Sequence, residues 1–463
     1  MKPVDAVIRG GTIVRSAGSY EAGIAIDGGR VVGIMSDQQL PPSREVIDAR
    51  GKIILAGIID THVHMRYPGK EDREDAISGG MAAAAGGVTT FLDMPNTVPP
   101  VNCAEVLNAK KELLSRTALV DFALYGGDGE SNVECIPELA QAGAVALKTF
   151  LWPYPDRKDE FEGLSCTNDD ALLDIFEAVA DTGLVQVVHC EKKAIVDHYT
   201  RQLQKEGRRA PSQHPESRPI LAEAEAVSRV VQFAIETGAR LNIPHVSCGS
   251  VAAIIKAAKE AGYRNVTAET CPQYLFLTSE RHEEIGPYAK VNPPLRPQAE
   301  RDRLWDYLLD GTIDTIGSDH APNLPEQIEP GWTDIFAAPA GRAEIETSLP
   351  LMLSAVNQGK LSLNTLTQLM SENAARLYGL YPRKGVIEVG ADADLVIVDM
   401  NKQLTIDHRQ LYTKQKEAAR MFDGWQVTAM PVLTMVRGTV VMRDGRIVGQ
   451  PGHGQFVSPL RIG

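Results

Sequence analysis

The sequence predicts an α/β protein, a (β/α)8 barrel carrying a small β-sandwich-like module built from both chain ends. Three observations predict it. The middle of the 463-residue chain alternates short apolar runs with helical stretches. Five of those runs close on a residue able to bind a metal, and the site of a parallel barrel lies where its strands end. Both chain ends instead show short strands separated by Gly and Asp turns.

The N-terminal strands read as Val4–Arg9, Thr12–Arg15, Gly23–Ile26, Arg30–Ile34 and Glu45–Asp48, with a hairpin-type turn at Asp27-Gly28-Gly29. The texture returns in Ala393–Asp399, Val432–Arg437, Thr439–Met442 and Arg446–Val448, with Arg443-Asp444-Gly445 as a turn. Residues 1–56 and 376–463 are therefore expected to form one composite module, and residues 57–375 the barrel. The barrel strands are Ile53–His64, Val88–Met94, Val120–Tyr125, Ala144–Lys148, Leu184–His189, Leu241–His245, Asn265–Thr270 and Thr315–Asp319. Helices are expected at Glu74–Ala85, Cys103–Arg116, Thr167–Thr182, Ile220–Gly238, Ser250–Ala261 and Gln298–Asp310. The polar stretch Asn323–Arg342 reads as a loop over the site.

A net charge of −13 and the absence of a Lys/Arg run argue against a nucleic-acid or membrane-surface partner. No apolar stretch approaches the roughly 20 residues that span a bilayer. The six cysteines form no C-x-x-C pair and suggest neither a disulfide framework nor a zinc knuckle. With an N-terminus that runs directly into a strand pattern, these features predict a cytoplasmic protein.

His62 and His64 are one residue apart, so on a strand both imidazoles project to one face, an arrangement suited to a divalent ion. Lys148 closes an apolar strand, where a lysine is costly unless paired or chemically changed. Reaction of its neutral amine with carbon dioxide gives a carbamate, an anionic ligand able to bridge two cations. The plain alternative is a lysine that snorkels out at the barrel rim. His189 and His245 each end an apolar strand, and Asp319 lies in Gly317-Ser318-Asp319-His320-Ala321-Pro322. Singly, each suits a core histidine or a capping aspartate. Together the six describe a binuclear metal hydrolase, with zinc expected and manganese or cobalt as alternatives. A hydroxide between two such ions would be the nucleophile, and Asp319 would serve as ligand and as general base and acid. No Ser-His-Asp, catalytic Cys or P-loop pattern competes.

Gly57–His64, Ala84–Thr90, Glu269–Leu275, Asn292–Arg296 and Gly390–Leu395 together resemble the cyclic amidohydrolases of the amidohydrolase superfamily, over nearly the whole chain. The resemblance implies the same barrel, two zinc-like ions, carboxylated Lys148, the ligand set His62, His64, Lys148, His189, His245 and Asp319, and hydrolysis of a ring amide. It also implies a homo-oligomer, commonly a homotetramer. Val120–Gly127, Ile285–Tyr288, Glu329–Trp332 and Pro431–Gly438 look most like L-selective hydantoinases and allantoinases. A hydantoinase opening a five-membered ureide to an N-carbamoyl amino acid is the expected activity.

Arg66 and Asn96 look instead like the pair that holds the substrate carboxylate in dihydroorotases. By the same resemblance, Asn292 would contact the ring through its backbone. The tyrosine of D-selective hydantoinases has no counterpart in register, since Pro153 stands in its place and Tyr154, the remaining candidate contact, one position later. Asn323 departs from the dihydroorotase pattern, and Arg342 and Glu344 stand where relatives carry small residues. Allantoinase and dihydroorotase are the alternative activities, and a catalytically silent scaffold on the same fold is the reading from another class.

Overall fold

A computed structural model describes residues 2–153 and 157–460. Eight parallel strands build the barrel: β1 (Ile58–Val63), β2 (Val88–Asp93), β3 (Asp121–Leu124, continued by Gly126–Gly127), β4 (Leu147–Phe150), β5 (Val185–His189), β6 (Arg240–Ile243), β7 (Val266–Thr270) and β8 (Thr315–Ile316). Neighbours pair in chain order. The ring closes where β1 meets the segment after β8, through a parallel bridge between Val63 and His320.

The crossover helices follow from amphipathic patterning. Asp169–Thr182 buries Leu172, Ile175, Phe176 and Val179, a stripe at helical spacing, and ends on Gly183 in the left-handed conformation. Ala76–Ala85 begins two residues later than expected, because the Asp75 carboxylate caps it by accepting from the backbone N–H groups of Ile77 and Ser78. Glu74 is thereby left outside the helix, where it faces His320 at 3.4 Å. The helices Lys193–Lys205 and Ser348–Asn357 were not anticipated. The first is strongly polar, and the second is buried along most of its length and lacks a polar face from which a period could be read.

The chain ends form two sheets. Four strands stand in the order Arg30–Met35, Gly23–Asp27, Val4–Arg9 and Ser43–Asp48. Seven stand in the order Arg446–Ile447, Thr439–Arg443, Met430–Val436, Leu395–Asp399, Ile53–Ala56, Thr12–Arg15 and Gly18–Glu21. The second sheet is buried on both faces. Ile13, Ile54, Leu395, Ile397 and Met435 join the core shared with the four-stranded sheet, whereas Val14, Leu55, Val396, Val398 and Val436 join the core of the barrel. Strict two-residue alternation thus welds module to barrel.

A buried ion cluster adds to the joint. The Lys384 ammonium lies between Asp121 at the start of β3, Asp392 (3.0 Å) and Asp394 (2.6 Å), and Arg437 also donates to Asp121. Asn323–Arg342 holds three short helical turns and is pinned to the barrel: Lys290 Nζ donates to the carbonyls of Ile335 (2.7 Å) and Ala338 (2.5 Å). Among the described residues, no helix is long and apolar enough to cross a membrane.

Candidate metal centre and active site

All six expected ligands line one cavity of about 120 Å3 at the C-terminal end of the strands, together with Arg66, Asn96 and Asn292. Tyr154 lies outside the described residues. Wider grooves, of about 530 and 1090 Å3, sit where Asp314 and Arg240 stand, and none of the six ligands lines either of them.

The expectation that every ligand closes a strand holds for His189 alone. His62 is within β1 and His64 just past it, while Lys148 is the second residue of β4. His245 and Asp319 lie two and three residues beyond β6 and β8. There the backbone turns sharply, with φ of 43° at His245 and 52° at Asp319; Arg66 has 57°. These are three of the five described non-glycine residues with positive φ, a conformation that costs about 1–3 kcal/mol and concentrates at functional sites. Strand periodicity carries no information about such turns.

Nitrogen and oxygen atoms converge in two groups. Asp319 Oδ1 is 3.4 Å from His62 Nε2 and 3.5 Å from His64 Nε2, and one donor atom from each of the three lies within 4.8 Å of the others. Across the cavity His189 Nδ1 is 3.1 Å from His245 Nε2. Burial pushes the imidazoles of His62, His64 and His245 well below their ordinary range, which keeps them neutral, the form that ligates. Among the described residues, the fully buried Lys148 Nζ has no hydrogen-bond partner and lies 4.9 Å over the Phe150 ring, and His245 Nδ1 likewise has no hydrogen-bond partner. Burial draws the Lys148 amine down to about 8, against the attraction of Asp319. Unpaired donors of this kind are rare inside proteins, and a donor set of four imidazoles, a carboxylate and a lysine fits a pair of divalent ions.

Behind three of the four histidines stands an outer partner. Glu269 Oε1 is 3.3 Å from His62 Nδ1, and its other oxygen accepts from the Thr61 hydroxyl. Asn96 Oδ1 is 2.7 Å from His64 Nδ1, so the side chain expected to meet substrate also orients an expected ligand. Glu191 Oε2 is 2.9 Å from His189 Nε2 and accepts from Arg218 Nη1 at 2.5 Å. Such partners fix the ring and its tautomer. Burial raises Glu269 to about 7, whereas at Glu191 burial is outweighed by Arg218 and His189, which hold it at about 2. Sequence reasoning assigned no role to Glu191 or Glu269, although Glu191 follows His189 by two residues and Glu269 precedes the turn after β7. Asp60 joins β1 to the turn after β8, accepting from the backbone N–H of His62 (3.2 Å) and of Ser318 (3.0 Å).

Arg66 is buried; its Nε donates to the Pro322 carbonyl at 3.2 Å, and among the described residues no carboxylate lies within 4.0 Å of it. Burial, with Arg157 and Arg73 nearby, pulls it down to about 9. Arg342 is buried too, donating to the carbonyls of Pro287 and Tyr288, and Glu344 is raised by burial to about 8. Arg342 thus braces the wall that carries Gly341.

The profile of the amidohydrolase family matches residues 53–441. The chain belongs to the amidohydrolase family. An L-hydantoinase of Paenarthrobacter aurescens is 38% identical, the alignment covering 98% of each chain. An allantoinase of Solibacter usitatus is 34% identical over 98% of this chain and 97% of its own. The solved L-hydantoinase (dihydropyrimidinase) from Arthrobacter aurescens superposes with a TM-score of 0.94 at 38% identity, covering 98% of this chain and all of the other. This amidohydrolase is accordingly a cyclic amidohydrolase acting on C–N bonds in cyclic amides, and metal binding accords with the residue groups at its cavity.

Proposed function

We propose that this amidohydrolase opens a five-membered cyclic ureide, in the manner of a hydantoinase, to an N-carbamoyl amino acid. The observation that carries the reading is the buried Lys148 amine, without a hydrogen-bond partner among the described residues, lining one small cavity with four histidines and Asp319. His62, His64, His189, His245, Asp319 and a carboxylated Lys148 would hold two divalent ions, with zinc as the first expectation. Those ions, when bound, supply Lewis acidity and lower the pKa of water, so that a nucleophile is available at neutral pH.

The chain's own groups do the rest. The neutral fraction of the Lys148 amine reacts with carbon dioxide, forming an N–C bond and releasing one proton, which converts an unpaired buried donor into an anionic ligand. Asp319 takes a proton from the attacking water and passes it to the departing ring nitrogen. From a turn with positive φ its carboxylate lies within 3.5 Å of both His62 and His64. Glu269, Asn96 and Glu191 hold three imidazoles in fixed tautomers. Asn292 presents backbone to the ring, and the Asn323–Arg342 segment covers it.

Arg66 supports a second reading within the class, a ring bearing an anionic or strongly polar substituent, as in a dihydroorotase or allantoinase. Ring opening by zinc- or manganese-loaded protein, measured across hydantoin, substituted hydantoins, allantoin, dihydrouracil and dihydroorotate, tests the proposal. Turnover of hydantoins is the expected result. Turnover confined to dihydroorotate or another carboxylated ring, or turnover of none of these rings by protein that holds two metal equivalents, overturns it, and protein that binds no divalent ion at neutral pH revives the silent-scaffold reading.

A further inference from the structure

The stretch Asn292–Arg296 presents Asn292 to the catalytic cavity and ends on an arginine outside the cavity lining. Arg296 is buried, and its one guanidinium reaches three separate residues. Nη2 donates to Glu223 Oε2 at 2.8 Å, Nε to Ser247 Oγ at 2.9 Å and Nη1 to the Arg218 carbonyl at 2.6 Å. Glu223 is buried on the helix Ile220–Thr237, and its other oxygen accepts from the Ser247 backbone N–H at 3.0 Å. The Ser247 hydroxyl also donates to Glu223. The segments that follow β5, β6 and β7 are thus tied together at one buried ion pair.

Each arm of this network ends at a histidine of the cavity. On one arm Arg218 Nη1 donates to Glu191 at 2.5 Å, and Glu191 stands 2.9 Å from His189 Nε2. On the other, Ser247 lies two residues past His245, whose φ is 43°. His245 Nε2 faces His189, and its Nδ1 has no hydrogen-bond partner among the described residues. Its ring is therefore aimed by its backbone, and a non-glycine residue keeps a positive φ only where its surroundings over-determine it. Here the Val246 N–H donates to the Glu269 carbonyl at 2.7 Å, and the Ser247 N–H and hydroxyl both reach Glu223. His62 and His64 have different outer partners, the side chains of Glu269 and Asn96.

We propose that Arg296 and Glu223 are positioning residues that set His189 and His245 as one half of the ligand set, so that they govern the affinity of one bound ion and leave the other alone. The inference rests on the reading of the cavity as a two-metal centre. A guanidinium suits the task because its planar fork serves three acceptors at once, whereas an ammonium is a point charge.

Arg296→Lys keeps the charge opposite Glu223 and gives up the fork. Competition with a chromophoric chelator should resolve two zinc equivalents, one loosened about 10–100-fold in the variant and the other unchanged. Ser247→Ala, which removes only the hydroxyl between Arg296 and the His245 turn, should loosen the same equivalent. In metal-free protein, carbethoxylation by diethyl pyrocarbonate, read residue by residue by mass spectrometry, should quicken at His189 and His245 in Arg296→Lys, with His62 and His64 at their wild-type rates. Wild-type affinity for both equivalents in both variants, or both equivalents loosened alike, overturns the proposal while the two-metal centre stands. If Arg296→Lys does not fold, Ser247→Ala decides between these outcomes by the same two measurements. If wild type binds fewer than two ions, the two-metal reading fails and the metal-free labelling decides. Quickening confined to His189 and His245 then supports the brace, and rates unchanged from wild type, or quickened at all four histidines, overturn it.

Discussion

Glu191 offers the sharpest test of how the metal centre is held. Its carboxylate is fully buried, 2.9 Å from His189 Nε2 and 2.5 Å from Arg218 Nη1, and the Arg218 guanidinium lies 4.8 Å over the Trp152 ring. In the proposed metal centre that arrangement would leave His189 Nδ1, on the side of His245, as the ligand atom. Glu191→Gln keeps the shape and an acceptor oxygen, but it removes the charge that makes the imidazole a better donor of electrons to a cation. Outer-shell changes of this kind weaken metal affinity about 10–100-fold, or about 1.4–2.7 kcal/mol. Zinc titration against a chromophoric chelator at neutral pH measures it directly. We expect a dissociation constant raised by that factor, with the protein still folded, and a smaller effect from Arg218→Gln, which touches the imidazole only through Glu191. A zinc affinity within twofold of wild type in Glu191→Gln would refute the reasoning, because His189 would then need no carboxylate behind it.

Other outcomes are expected from the same structure. Asp319→Asn should lower kcat about 10²–10⁴-fold in protein that retains its metals; kcat above a tenth of wild type at full metal content would remove Asp319 from proton transfer. Lys148 should take up carbon dioxide more readily as pH rises through about 8, because burial draws its amine down to about 8 and the neutral amine is the reacting form. At pH 7 about a tenth of that amine is neutral, far more than for an exposed lysine. A carbamate signal from labelled bicarbonate in metal-free protein, absent in Lys148→Met, measures this, and a signal that falls with pH would contradict it. Lys384→Met leaves Asp121, Asp392 and Asp394 buried without their ammonium. Denaturant unfolding should show a loss of about 3–5 kcal/mol, and a loss under about 1 kcal/mol would show that the cluster does not join module to barrel.

What could be read from the chain depended on periodicity. Pairs such as His62 and His64 share a face because a strand alternates, and short runs broken by Gly and Asp turns marked the strands of both chain ends. Elements without a period escaped. Ser348–Asn357 is apolar nearly all round, and the turns of Asn323–Arg342 rest on Lys290 reaching two carbonyls from another segment. At Lys148 the strand runs on to Phe150, whereas before His245 and Asp319 the strands end earlier than expected for a related reason. An apolar run records burial, and in a barrel burial continues past the last ladder hydrogen bond.

By itself, then, the sequence determined the alternation of strand and helix, the β-rich ends and the residue types able to bind a metal, because these are set by local periodicity and side-chain chemistry. Only the tertiary structure decided which atoms face one another. It placed Glu191 behind His189 and Glu269 behind His62, left the Lys148 amine without a hydrogen-bond partner among the described residues, and brought Arg73 and Arg157 to Glu160. Those contacts join residues tens to hundreds of positions apart or side chains beyond strand ends, and their energies depend on distance and burial, which no local pattern encodes.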